Sequence, residues 1–212
     1  IMALGLAACA APAAPAEEPT PAAEPETEKV DSQAILAELK TPAEESNWER
    51  TTSSQEVIDF LKVVAEHSAG RIILDTTTFA TEAGTPISYM IISDVAPASP
   101  ADVPEDKGVV YVNCNIHSGE IEGKESMMIF AREVAQGKHD DLLKDLVVII
   151  VPNSNPDGND NLGKNRITTQ FTPKLVGTRA EGNGLNVNRD MTKLETACGR
   201  TIVKLMNDWN PI

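Results

Sequence analysis

An α/β fold, a β-sheet with helices packed on its faces, is what this sequence predicts. Two observations carry the prediction. Segments of helical periodicity alternate with β-rich segments from residue 54 onward, and two β-rich runs, KGVVYVNCNI (107–116) and DLVVIIVP (145–152), are almost continuously apolar, as strands covered on both faces are. A chain of 212 residues with 41% apolar residues is long enough to bury one full core, although aromatic residues, at 4%, are scarce.

The first segment, IMALGLAACA, is too short an apolar stretch to cross a bilayer as a helix and suits the hydrophobic region of a secretory signal. Small residues lead into Leu6-Ala7-Ala8-Cys9, which resembles the bacterial lipobox, where the signal is cut before a cysteine that is then acylated. The expectation is a signal remnant over residues 1–8, a lipidated Cys9 and an exported, periplasmic or cell-envelope lipoprotein. Each buried acyl CH₂ contributes about 0.8 kcal/mol to membrane affinity. Residues 9–44 then read as an acidic Ala/Pro/Glu-rich tether. Residues 1–50 hold 10 acidic and 3 basic residues, and repelling glutamates, prolines without donors and little to bury favour an extended chain.

The globular part is expected over residues 45–212. Val57, Phe60, Leu61 and Val64 recur at helical spacing and predict a helix from Gln55 to His67, capped by Ser54 and stopped by Gly70. His67 falls in its last turn, where a cation suits the helix dipole. RIILDTTTFA (71–80) and SYMIISD (88–94), separated by Gly84 and Pro86, read as paired strands. KGVVYVNCNI follows as a central strand, then a helix from Glu120 to Gln136, the buried strand DLVVIIVP, and a last helix in KLETACGRTIVKLMNDW (193–209). Cys114 and Cys198 are expected as buried free thiols, and His139, in GKHDD, as a solvated loop residue.

A formal net charge of −14 without any basic run excludes the nucleic-acid binders, which need clustered Lys and Arg. The chemistry-bearing stretch is NCNIHSGEIEGKES (113–126), with His117 and Glu120 three residues apart where a strand gives way to a helix. Ligands collect beyond the carboxyl ends of the strands of such sheets. An imidazole nitrogen and a carboxylate oxygen are zinc donors that can converge from this spacing. The same two residues also suit a solvated turn with Glu120 helping to cap the helix. Cys114 is a conceivable further ligand, although cysteine suits structural zinc sites better.

Downstream come Asn155-Pro156-Asp157-Gly158, Arg166, and Asn188-Arg189 in GTRAEGNGLNVNRD. In this order, from about residue 45 to 212, the chain resembles the zinc metallocarboxypeptidases of the carboxypeptidase A type. The resemblance implies a three-layer α/β/α sandwich around a central mixed β-sheet. It also implies Zn²⁺ held by His117 and Glu120, an oxyanion-stabilising Arg166, and Asn188 with Arg189 gripping the terminal carboxylate of a peptide substrate. Arg179 competes with Arg166 for its role, Arg189 has a structural alternative in a pair with Asp190, and Asp157 reads as a turn former bonding its own backbone.

The family's third zinc ligand is a later histidine and its general base a late glutamate. This sequence has no histidine after His139. The expectation is therefore a chain cut before the strand bearing that ligand, truncated on its C-terminal side, weak in zinc binding and inactive alone. Two other readings accompany the carboxypeptidase: a zinc deacylase resembling the aspartoacylase group, acting on acylamino acids, and a binding protein of the same fold without chemistry.

Overall fold

The computed structural model describes residues 31–167 and 170–212. The lipobox and Cys9 lie outside the described residues. Helices α1 (Ser32–Glu38) and α2 (Pro42–Glu45) open the described chain. Asp31 caps α1 by accepting the amides of Gln33 and Ala34, and a capping box between Thr41 and Glu44 starts α2. Leu36 and Ala43 are fully or almost fully buried. This corrects the tether's expected end at residue 44. The folded unit begins at Asp31, because a capped turn carrying Leu36 has apolar surface to bury.

Helix α3 (Ser54–Glu66) turns Val57, Phe60, Leu61 and Val64 inward, as their spacing predicts. Its cap is Ser53 rather than Ser54: the Glu56 carboxylate accepts the Ser53 amide at 2.9 Å, and Ser53 Oγ accepts the Glu56 amide. Ser54 lies inside the helix, and its hydroxyl donates to the Pro156 carbonyl. Strands β1 (Ile72–Asp75), β2 (Tyr89–Ile92) and β3 (Gly108–Asn113) follow, then α4 (Glu122–Ala135), α5 (Asp140–Leu143), β4 (Leu146–Val151) and α6 (Pro156–Asp160). A short hairpin of β5 (Gly163–Lys164) and β6 (Leu175–Val176) precedes α7 (Ala197–Trp209). Helix α4 starts later than expected because Glu120 is held in a turn, its amide donating to the His117 carbonyl at 2.8 Å. Thr196 caps α7 at the Gly199 amide, which sets its start within the expected segment.

The main sheet has the order β1-β2-β4-β3. β1 with β2 and β2 with β4 are antiparallel, while β3 and β4 are parallel, so the sheet is mixed, as the resemblance implies. Residues alternate between its faces. Val148 and Ile150 of β4 join the core formed with α3 and α4, around Leu61, Val64, Met128 and Ala131. Val147, Ile149 and Val151 join the core formed with α7, around Ile202, Leu205 and Trp209. The result is a three-layer α/β/α sandwich. β3 was expected in the centre and stands at one edge of the described sheet. Its apolar run reports coverage of both faces, with Val110 and Val112 on one core and Tyr111 on the other. Pairing of its two edges is a separate matter. Cys114, just past β3, and Cys198, in α7, are buried free thiols, as expected.

Candidate functional site

The parallel register places Asn113 of β3 opposite Val151 of β4, so the loops leaving both carboxyl ends emerge side by side. One carries His117 and Glu120, the other Asn155 to Gly158. The NPDG segment does not stay a turn. It forms the first turn of α6, with Asn155 as its cap accepting the Gly158 amide at 2.9 Å. Asn155 also donates to the Ile116 carbonyl at 3.3 Å, and the Ser118 hydroxyl donates to the Asn155 carbonyl at 2.8 Å. The motif therefore buttresses the histidine loop.

Asp157 departs from its expected role: its carboxylate accepts the Thr85 hydroxyl at 2.6 Å, and self-capping falls to Asn155. Gly158 and Gly177 make the close approach possible. A Cβ on Gly177 would stand 2.5 Å from the Gly158 carbonyl oxygen and 2.6 Å from Ser118 Cβ. On the other side of the loop, Asn115 takes a left-handed conformation at φ 60°, which asparagine tolerates. Its amide donates to Asn153 Oδ1 at 2.8 Å and Asn159 Oδ1 at 3.1 Å.

His117 is 5% exposed. Its Nδ1 lies 3.2 Å from Glu120 Oε1, and its Nε2 lies 3.1 Å from Asn186 Oδ1. Arg179 meets both residues: Nη1 is 3.0 Å from Nδ1 and 2.8 Å from Nε2 of the ring, and Nη2 donates to Glu120 Oε1 at 3.3 Å. The Asn186 oxygen favours a proton on Nε2, the Glu120 carboxylate favours one on Nδ1, and the guanidinium, which offers donors only, can donate to whichever nitrogen is bare. Imidazole nitrogen and carboxylate oxygen thus converge on the Arg179 guanidinium, which holds both in this structure and would have to give way for a metal to bind them. That donor set fits zinc as two ligands of a tetrahedral site. Among the described residues no cluster of three or more His, Cys, Asp or Glu side chains surrounds such a point. Cys114 adds nothing to it, because burial pushes its thiol up to about 11 and its sulfur packs against Gly123.

The other expected site residues are distributed as follows. Asn188 and Arg189 lie on a 3₁₀ turn, Val187–Arg189, both exposed. Arg189 does not pair with Asp190. It donates to the Asn188 carbonyl at 2.8 Å, while the Asp190 carboxylate accepts the Glu195 and Thr196 amides and the Thr196 hydroxyl, organising the start of α7. Arg166 is exposed and its guanidinium bonds Asn161 through that residue's carbonyl and Oδ1. It is Arg179, not Arg166, that the described hydrogen bonds bring to His117 and Glu120. His139 pairs with Glu133 at 3.0 Å and His67 with Ser32 at 3.0 Å, both away from this cluster.

Asn186 escaped the sequence reading. It sits two residues before Asn188, caps the 3₁₀ turn through the Asn188 amide at 3.0 Å, and presents the same oxygen to His117. The repeated Asn in LNVNR was the only signal for it.

The zinc carboxypeptidase family profile matches residues 59–202, more than half of the chain. No curated protein sequence matches it. Among solved structures, a metallo-carboxypeptidase from Burkholderia cenocepacia aligns with a TM-score of 0.54 at 19% identity, covering 74% of this chain and 38% of its own. Thrombin-activatable fibrinolysis inhibitor aligns with a TM-score of 0.53 at 16% identity, covering 83% of this chain and 48% of its own. At these identities the likeness is one of fold, and this chain spans less than half the length of either protein. With the profile covering the segment that holds the HxxE pair, NPDG and the Asn-Arg turn, the chain belongs to the zinc carboxypeptidase family.

Proposed function

We propose that the protein is a zinc-dependent carboxypeptidase that hydrolyses the C-terminal residue of peptides. The observation that carries this reading is the convergence of His117 Nδ1, Glu120 Oε1 and the Arg179 guanidinium at the carboxyl ends of two parallel strands. His117 and Glu120 would hold the metal, which when bound supplies Lewis-acid activation of water and of the scissile carbonyl. With the metal on Nδ1, the ring proton would stand on Nε2, where the Asn186 oxygen accepts it. Arg179, which holds this pair in the structure, would give way to the metal and stay beside it as a cation for the carbonyl oxygen, the role that Arg166 was expected to fill. Such preorganised charge lowers a barrier by roughly 3–4 kcal/mol. Asn188 and Arg189, exposed on one turn, take the terminal carboxylate, for which a planar guanidinium is suited.

The test uses the protein isolated from its host. Loaded with zinc, it releases C-terminal residues from a peptide panel and leaves acylamino acids intact, and a chelator stops the reaction. Hydrolysis of the acylamino acids alone would favour the deacylase, and hydrolysis of neither would favour a binding protein. Independently of turnover, His117→Ala removes zinc as measured by elemental analysis; unchanged metal content overturns the ligand assignment.

We also propose that an acylated Cys9 anchors the protein to a bacterial envelope membrane, a reading supported by Leu6-Ala7-Ala8-Cys9. Metabolic labelling with a fatty acid that is lost in Cys9→Ser tests it.

A further inference from the structure

Between Asp160 and Glu181 the chain carries four cations, Lys164, Arg166, Lys174 and Arg179, and no acidic residue, in a protein of net charge −14. Arg179 belongs to the site described above. The other three are exposed, and none forms an ion pair among the described residues.

The hairpin register sets Lys164 opposite Leu175, and Lys174 directly precedes Leu175, so the two lysines are neighbours at the end of the hairpin. Both border a cavity of 660 Å³ and, with Arg166, a second of 320 Å³. Like charges gathered on two short strands repel one another. The larger cavity is also lined by Glu49, Glu56, Asp160 and Arg50, so its charges balance, whereas the smaller one is lined by Lys164, Arg166 and Lys174 with no acid among the described residues.

This hairpin is bolted to the histidine loop. Gly177 donates to the Ser118 carbonyl at 3.2 Å, Ser118 donates to the Thr178 carbonyl at 3.1 Å, and Ile167 packs against Gly119. The same loop meets Asn186 through His117, and Asn186 caps the turn that carries Asn188 and Arg189. The cationic hairpin and the pair suited to a terminal carboxylate thus both adjoin the loop of His117 and Glu120.

We propose that Lys164, Arg166 and Lys174 form a subsite for acidic side chains on the N-terminal side of the scissile bond, so that the substrates are acidic peptides. The direction of the peptide rests on the carboxypeptidase reading; the preference for acidic side chains rests on the hairpin alone. A nucleic acid is a poor occupant because three clustered cations offer too few phosphate contacts.

The test measures fluorescence anisotropy of a labelled oligoglutamate peptide with the full chain, in a chelator so that zinc plays no part. The expected result is binding at low salt that weakens as salt rises. An oligoglutamine peptide of equal length binds at least about tenfold more weakly, and Lys164→Glu with Lys174→Glu costs about tenfold in affinity for oligoglutamate. Both positions are exposed, so an unchanged circular dichroism spectrum accompanies that loss. Equal binding of the two peptides, an unchanged affinity in the double variant, or equal competition by an oligonucleotide overturns the subsite. Zinc content of the His117→Ala protein is read separately, so each proposal can fail without the other.

Discussion

Asn186 Oδ1 lies 3.1 Å from Nε2 of His117, where it can accept the proton that Nε2 carries when Nδ1 binds a metal. Removing this oxygen with Asn186→Ala frees the ring to exchange tautomers and rotamers. Zinc affinity, measured by competition with a chromophoric chelator, is expected to fall by roughly 10- to 100-fold. Asn186→Asp keeps an acceptor at the same place and adds charge, so it is expected to match or exceed the original affinity. A loss as large as that of the alanine variant would show that the oxygen does not orient the ring.

Arg179 and Arg166 are expected to separate kinetically. Arg179 touches His117 and Glu120, so Arg179→Ala should lower kcat by about 100-fold or more with little change in KM. Arg166 bonds Asn161 on the hairpin side, so Arg166→Ala should act on KM for acidic substrates. Steady-state kinetics on the protein isolated from its host measures both, and the reverse pattern would restore the oxyanion role to Arg166.

Lys124 and Glu125, in the first turn of α4, form a buried ion pair 3.4 Å apart with side chains 0% and 4% exposed. Lys124 also donates to Thr51 Oγ1 at 2.8 Å and Asn159 Oδ1 at 2.7 Å, and Glu125 accepts the Thr51 and Thr52 hydroxyls and the Thr52 amide. Burial pushes the Lys124 ammonium down from its ordinary value, against the pull of Glu125. Lys124→Met leaves an uncompensated carboxylate and should cost about 3–5 kcal/mol in urea denaturation. The double variant Lys124→Met with Glu125→Gln should recover part of that loss.

Glu56 gives a pH signature. Its bond from Arg50, together with those from Ser53, outweighs partial burial and lowers its carboxyl from 4.5 to about 2. A depressed folded value stabilises the fold fully above the unfolded value, near 4.5, and the contribution disappears as pH falls toward 2. The stability gap between the original protein and Glu56→Gln should therefore be constant at neutral pH and close between about 4.5 and 2. With the side chain 36% exposed, screening keeps the gap under about 1 kcal/mol. Chemical denaturation across that pH range measures it.

Much of the fold could be read directly from local pattern. The spacing of Val57, Phe60, Leu61 and Val64 defined α3, and the apolar runs defined β3 and β4, because burial on one helix face or on both sheet faces leaves a periodic trace in the residues themselves. The order of β3 and β4 within the sheet left no such trace, since an apolar strand is the same whether it has one paired neighbour or two. Helix starts shifted for a related reason: Ser53 and Ser54 are equally good caps by residue type, and the position of Glu56 chose between them.

The sequence by itself determined the family and singled out His117, Glu120 and the Asn188-Arg189 pair as candidates, because these depend on residue type and short spacing. Tertiary structure alone decided which arginine meets the histidine, that Asn186 contacts its ring, and that Asp190 belongs to α7 instead of to Arg189. Those partners lie 62 and 69 residues from His117 in the chain. Contacts across such separations are set by how the loops pack at the ends of parallel strands, which no local pattern records.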